Sequence, residues 1–363
     1  MPSRCARNGR KDRKNHKIAL TGLHAYSTVP ARLRSLSGRR SFASGACRQG
    51  NRTVGNKAPE TGPWGRLVSA AEYRIRALPV WNGAISIEPL KGGLSNESFF
   101  VADADGIHVV RFGKDFPFHH VFRQREIMVA RAAAAAGFAP EVQFTEPGVM
   151  VSAFLGAKTF GPEDVRANRL RIAKLVRMFH DEMPKHVSGA GFMFWVFHVN
   201  RDYARTLEAG KSRMAKRLPE FLALNDALEA AQQPLPIVFG HNDLLPANFL
   251  DDGEKLWLID FEYAGFNTAM FDLAGAASNA GMTAGESEEL LAEYFGHEPD
   301  ERLRRSHMAM QCASLLREAM WSMVSELHLS APGADYVGYT AENLARLDAA
   351  LETYQTIHGK LAS

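Results

Sequence analysis

The feature that most constrains this chain is a short loop and the strand that follows it. Phe239-Gly240-His241-Asn242-Asp243-Leu244-Leu245-Pro246-Ala247-Asn248 sets a histidine, an aspartate and an asparagine in H-x-D-x4-N spacing. Twelve residues after Asn248, the apolar run Leu256-Trp257-Leu258-Ile259 ends in Asp260. Gly253 supplies a turn between two β-like runs, 249–252 and 256–259. The chain therefore doubles back and returns Asp260 beside Asn248. Whatever fold the chain adopts has to hold this hairpin and loop on a firm support.

The surrounding pattern supplies one. Upstream, β-like runs at 84–89, 98–104 and 108–112 are separated by Lys91-Gly92-Gly93-Leu94-Ser95-Asn96 and by Asp105-Gly106, both turn signals. Ser69 and Glu72 have capping-box spacing at the head of a short helix. A helix over 119–137, stopped by Gly137 and Pro140, and strands at 141–145 and 149–154 complete a small antiparallel sheet carrying one helix. After Gly156 the chain becomes helical. An amphipathic helix is expected over 162–183, with Leu170, Ile172, Leu175, Val176 and Phe179 on its apolar face. Further helices are expected at 218–231, 286–296, 300–329 and 341–358, with the β segments 237–241, 249–252 and 256–259 between them. The expected fold is α+β with two lobes.

Charge separates a third piece. The 363 residues carry a formal charge of +3, yet residues 1–66 hold 15 Lys and Arg against two acids, Asp12 and Glu60. The remainder is therefore acidic, at −10. The basic segment is rich in Arg, Ser, Gly and Asn and lacks periodicity, so disorder is its default. Its composition leaves three readings open: a dispensable extension, an organellar transit peptide, or an arm for nucleic acid or anionic membrane. The first includes translation upstream of the true start; no Met lies between Met1 and Met128, so a shorter product would begin at a non-Met codon such as Val54 or Val68. No stretch approaches the roughly 18 apolar residues of a membrane span. Cys5 and Cys47 lie in the basic segment and only Cys312 in the body, which excludes a disulfide framework or cysteine-rich zinc site and indicates a reducing, cytoplasmic setting.

H-x-D-x4-N is the spacing of a kinase catalytic loop. In such a loop Asp243 accepts the proton of a substrate hydroxyl and aligns its oxygen with the γ-phosphate of ATP. Asn248 and Asp260 offer two oxygens to Mg²⁺, which prefers a few protein oxygens completed by water and phosphate. His241 orients the loop.

These residues, followed by Asp260-Phe261-Glu262-Tyr263 and Asn267-Thr268-Ala269-Met270-Phe271-Asp272-Leu273-Ala274, resemble the choline/ethanolamine kinase family. That family belongs with the aminoglycoside-phosphotransferase-like and protein-kinase-like enzymes. The resemblance spans about residues 70–330 and implies a two-lobed kinase-like fold, with a nucleotide-binding lobe at 67–155 and a catalytic, acceptor-binding lobe at 156–363. It implies that Gly92, Gly93, Ser95 and Asn96 form the phosphate loop, where glycines let the backbone approach phosphate oxygens. Arg111 takes the place over the α/β-phosphates, held by Glu126, and the backbone of Ser152-Ala153-Phe154 meets the adenine edge. Asp272 braces the metal loop.

A quaternary ammonium is bound by aromatic faces with a carboxylate nearby. Glu262, Tyr263 and Trp321 are expected on the acceptor side beside Asp243, with Tyr294 a further aromatic. Trp195 and Phe197 either cap the pocket or belong to the core. The resemblance thus implies an ATP- and Mg²⁺-dependent kinase of choline, ethanolamine or a similar amino alcohol. Thiamine and aminoglycoside acceptors, or a non-catalytic binding role, are the alternatives. No nucleic-acid partner and no stable membrane insertion are expected, and the sequence leaves oligomeric state open. Because all the expected site residues fall in the acidic body, a chain beginning near Leu67 should retain full activity in a turnover assay against the intact chain.

Overall fold

The Asp105-Gly106 turn closes a hairpin between β2 (Glu97–Ala102) and β3 (Ile107–Phe112), paired from Glu97↔Phe112 to Ala102↔Ile107. Asp103 steadies it, its Oδ1 accepting from the Asp105 and Gly106 N–H groups at 2.8 and 3.1 Å. The structure is a computed structural model that describes residues 69–90, 97–189, 191–330 and 334–361. With β1 (Ser86–Leu90), β4 (Val142–Glu146) and β5 (Val149–Ala153), the hairpin forms an antiparallel sheet in the order β1-β2-β3-β5-β4.

Alternation divides the faces of this sheet. Phe99, Val101, Val110, Val149 and Val151 pack with Ile75 and Leu78 from α1 (Ala70–Ala77) and its C-cap; Ser69 caps the helix by accepting from Glu72 N at 3.1 Å. Phe100, Ala102 and Val109 point the other way, joined by Phe154. Each side chain so buried is worth about 1.5–3 kcal/mol. The helix expected at 119–137 is shorter, α2 (Arg123–Ala135). A 3₁₀ turn at Pro117–His119 and a left-handed His120 (φ 61°) delay its start. Gly137 (φ 80°) ends it, with Phe138 N donating to Ala133 O at 2.8 Å.

The expected helix at 162–183 is two helices, α3 (Pro162–Ala167) and α4 (Arg169–Glu182). Asn168 breaks it (φ −107°), its side-chain amide donating to Asp164 O at 2.9 Å. The break resets the helical phase: Ile172, Leu175, Val176 and Phe179 are buried, whereas Leu170 is 42% exposed. Next come α5 (Val196–Ala209), α6 (Leu218–Ala230), α7 (Ala269–Ala280), α8 (Ala284–Phe295), α9 (Glu301–His328) and α10 (Tyr336–His358). The sequence reading missed α5 and α7. The second, AMFDLAGAASNA, is buried on nearly all sides and shows no amphipathic stripe. Between helices lie a two-stranded pair, β7 (Ile237–Gly240) with β10 (Gly265–Thr268), and a three-stranded sheet of β6 (Lys158–Thr159), β8 (Phe249–Asp251) and β9 (Leu256–Leu258).

The result is a two-lobed α+β fold, a small sheet lobe above a mainly helical one. Phe197 is core, and Trp195 packs against the same core with its indole N–H donated to Glu229 at 2.6 Å. Among the described residues no helix is long and apolar enough to cross a membrane. β10 passes so close to Phe192 that a Cβ on Gly265 would lie 2.5 Å from its ring and 2.9 Å from its carbonyl oxygen. Gly265→Ala should therefore destabilise the fold by about 1–3 kcal/mol, read as a lowered urea midpoint.

Candidate active site

The H-x-D-x4-N loop leaves β7 at Gly240, which pairs with Gly265, and turns at Asn242 (φ 62°). What fixes this turn is a carboxylate behind it. Asp272, in the first turn of α7 and 2% exposed, accepts the backbone N–H of His241 at 2.7 Å and of Asn242 at 2.6 Å. His180 of α4 adds its Nε2 at 2.9 Å and faces the Tyr294 hydroxyl through Nδ1 at 2.7 Å. Burial alone would raise the Asp272 carboxyl. The hydrogen bond and charge of His180, with the charge and backbone bond of His241, outweigh it and hold the group below its ordinary value. Tyr294 thus braces the loop from behind, and is no part of an acceptor pocket.

Asn242, the unassigned residue of the motif, carries much of the structure. Its amide donates to the carbonyls of Tyr263 and Gly265 at 3.1 Å each and accepts from Asn267 at 3.0 Å. Only a short, two-faced amide can knit the loop to the segment after Asp260 in this way. That signal was available in the sequence as an Asn at a position that tolerates φ > 0.

Beyond Asn242 the loop coils back on itself, with Leu245 N donating to Asp243 O at 2.8 Å and a 3₁₀ turn over Pro246–Asn248. Asn248 is wholly buried. Its Nδ2 donates to Asp243 O at 2.8 Å, and its Oδ1 has no hydrogen-bond partner. The β8–β9 hairpin, paired Phe249↔Leu258, brings Ile259 N to Asn248 O at 3.1 Å, while His241 Nε2 donates to Ile259 O at 3.0 Å. Asp260 follows with φ 69°, a left-handed conformation that costs a non-glycine residue energy and is found where surroundings over-determine it. Burial pushes the His241 imidazole below its usual value.

From Asp260 a chain of alternating charges runs inward. Its Oδ1 accepts from Arg111 Nη1 of β3 at 2.9 Å, and Arg111 is also ion-paired with Glu126 of α2. Glu126 takes Arg123 Nη1 at 2.6 Å, and the same nitrogen reaches Glu262 Oε2 at 3.0 Å. Glu126, Arg123 and Glu262 are each more than 90% buried. Burial and the charge of Asp260 push Glu262 up, against the pull of Arg123 and Arg111. Arg123 was missed in the sequence, although its i,i+3 spacing from Glu126 marks a helix-face pair.

Glu262 and Tyr263, adjacent in sequence, diverge: the carboxylate turns to Arg123, whereas the Tyr263 hydroxyl accepts from Trp321 Nε1 of α9 at 3.0 Å. The Arg317 guanidinium lies over the Tyr263 ring, 4.5 Å from its centroid, and is ion-paired with Glu318. Glu318 Oε2 accepts from the Tyr339 hydroxyl at 3.2 Å. Tyr336 and Tyr339 stand edge-on to Trp321 at 6.3 and 6.2 Å. Burial pushes the Asp243 carboxyl well up; Arg317 opposes this, and Glu318, Asp260 and Glu262 add to it.

On the sheet side, Arg111, Glu126, Met150, Ser152 and Ile259 line a narrow cavity of about 50 Å³ between the lobes. The N–H groups of Ala153 and Phe154 are already engaged, by Glu141 O at 2.9 Å and Ile107 O at 3.1 Å, so this part of the backbone has no spare donor for an adenine edge. Phe154 packs edge-on against Phe100. Gly92, Gly93, Ser95 and Asn96 lie outside the described residues.

The choline/ethanolamine kinase model matches residues 87–282, just over half of the chain. A probable ethanolamine kinase of Arabidopsis thaliana is 27% identical over 297 residues, covering 70% of this chain and 76% of the relative. Protein LicA of Haemophilus influenzae is 26% identical over 174 residues, 46% of this chain and 49% of LicA, so that match spans about half the relative's length. The structure of a choline/ethanolamine kinase family protein from Mesorhizobium loti superposes with a TM-score of 0.62 at 30% identity, covering 78% of this chain and 94% of that one.

Asp272→Asn should cost about 2–4 kcal/mol at neutral pH, since buried donors lose a charged acceptor. The folded-state carboxyl is depressed, so its contribution is full above the unfolded pKa and is lost as pH falls through the folded value. The gap in melting temperature between wild type and variant should accordingly narrow below about pH 4.

Proposed function

Since the chain belongs to the choline/ethanolamine kinase family, phosphotransferases with an alcohol group as acceptor, we propose that it uses ATP and Mg²⁺ to phosphorylate the hydroxyl of ethanolamine, choline or a similar amino alcohol. The observation that carries this reading is Asn248 Oδ1, a buried oxygen without a protein partner, held in place by the amide bond to Asp243 O at 2.8 Å. A buried acceptor left open in this way suits a bound cation, and Asp260 follows the residue hydrogen-bonded to Asn248. Among the described residues no cluster of three or more His, Cys, Asp or Glu could hold a metal ion, so a site of one Asp and one Asn depends on water and phosphate for its remaining ligands. Bound there, Mg²⁺ would neutralise charge on the transferring phosphoryl group.

The remaining roles belong to the chain itself. Asp243 takes the acceptor's hydroxyl proton. Its raised pKa makes it a better proton acceptor than an exposed aspartate, while the Arg317 charge limits the rise. Arg111 faces the nucleotide phosphates, and Glu126 fixes its approach. His241 and Asp272 hold the loop so that Asp243 and Asn248 keep their separation, and this positioning supplies much of the rate enhancement because the phosphoryl transition state is loose. Residues 67–155 would serve the nucleotide and residues 156–363 the acceptor.

ADP release with Mg²⁺-ATP and a panel of ethanolamine, choline, thiamine and kanamycin tests the proposal. Stimulation by ethanolamine or choline is the expected result; stimulation by thiamine or kanamycin alone, or by none of the four, overturns it. Asp243→Ala should lower turnover by at least about 10²–10⁴-fold while nucleotide affinity, measured by calorimetry, changes little.

A further inference from the structure

From Cys312 to Ser325 every residue of α9 is buried except Glu318 and Trp321. Three positions apart, they share one face of the helix. This interruption in an otherwise sealed helix opens where Trp321 meets Tyr263, the residue after Glu262 in the segment that starts at Asp260. Glu318 is ion-paired with Arg317, whose guanidinium lies 4.5 Å from the centroid of the Tyr263 ring. We propose that Glu318 is the counter-charge for the acceptor's ammonium, and that with Trp321 it selects an ammonium bearing N–H groups over a quaternary one. This rests on the kinase reading above and narrows its substrate class.

Three observations carry it. First, Glu262 is the more enclosed of the two carboxylates: its side chain is 9% exposed against 15% for Glu318, and Arg123 holds it at 3.0 Å within the buried charge chain. Second, Glu318 keeps acceptor capacity. One oxygen takes Arg317 and the other the Tyr339 hydroxyl at 3.2 Å, which leaves a lone pair on each, and 15% of the side chain remains accessible. Third, the charges Asp243, Glu318 and Arg317 sum to −1, a balance completed by one monocation. The aromatic part of the pocket is a poor cage by comparison. His119 packs on Trp321 with centroids 5.1 Å apart and planes tilted by 31°, which takes up one of its faces, and Tyr336 and Tyr339 stand edge-on to it at 69° and 77°. A quaternary ammonium, which donates no N–H bonds, needs several faces. A primary ammonium brings donors that a carboxylate satisfies with charge-assisted bonds, and a site built for such donors discriminates against an analogue without them.

The test is kcat/KM across ethanolamine, N-methylethanolamine, N,N-dimethylethanolamine and choline, for wild type, Glu318→Gln and Tyr339→Phe. Wild type should fall along the series, with choline at least about 10-fold below ethanolamine. Glu318→Gln should lower kcat/KM for ethanolamine about 10²-fold, mostly through KM, and affect choline less, with the KM for ATP unchanged. Tyr339→Phe, which leaves no charge unpaired, should retain the ethanolamine preference and shift the acceptor KM by only a few-fold. Should Glu318→Gln not fold, because Arg317 is then unpaired, the wild-type series and Tyr339→Phe decide the matter. A wild-type enzyme that uses choline as well as ethanolamine overturns the inference and leaves the kinase reading standing. So does a Glu318→Gln variant that loses both acceptors in proportion. No ADP release with any acceptor overturns both.

Discussion

The two lobes meet through a guanidinium. Arg111 leaves the central strand of the small sheet and is shared between Glu126 on α2 and Asp260 at the end of the β8–β9 hairpin. Arg123 then carries the alternation on to Glu262. Buried charges are expensive, and such a chain is tolerable only because opposite charges alternate along it, each of the three inner members having one on either side. Three carboxylates against two guanidiniums leave it one negative charge in excess, at the point where the proposed cation would sit. The interactions are thus worth less as a source of stability than as a way of fixing where each oxygen stands.

Behind this chain lies a second buried anion with another task. Asp272 grips the backbone of the loop from below, through His241 and Asn242, and is itself gripped by His180. Phe179, the residue before His180 in α4, stacks on Phe261 with centroids 6.1 Å apart. The loop and the Asp260 segment are therefore seated on the same helix. Asp243 and Asn248 can project from a tight turn because the strain of positive φ at Asn242 and Asp260 is offset by these bonds from outside the turn.

How much of this was legible in the sequence depended on the range of the interaction. The hairpin from Phe249 to Asp260, the Ser69 cap and the long buried helix α9 were readable, because each rests on local pattern or spacing. α7 was not: its twelve residues follow β10 without a break and include Gly275, Ser278 and Asn279, which are weak helix formers. The break at Asn168 was hidden for another reason: the apolar positions on either side fit one continuous helix until the phase shift is known, and Leu170 was assigned inward. In the site, H-x-D-x4-N and Asp260 announced themselves, but the direction of Glu262 did not. Neighbouring side chains point apart, and only the tertiary position of Arg123 decides which way each turns. Glu318 and Tyr339 belong to different helices, and nothing in the chain order pairs them.

One stretch of four residues, Asp260 to Tyr263, has a consequence of its own. Its first member accepts from Arg111 of the small sheet, and its last from Trp321 of α9, with Glu262 pulled between them by Arg123. A ligand on either side that ordered this segment would meet part of the conformational cost for the other. Linkage makes such an effect reciprocal: the factor by which nucleotide tightens acceptor binding is the factor by which acceptor tightens nucleotide. With nucleotide and acceptor bound as proposed, the two substrates would be coupled through this four-residue stretch.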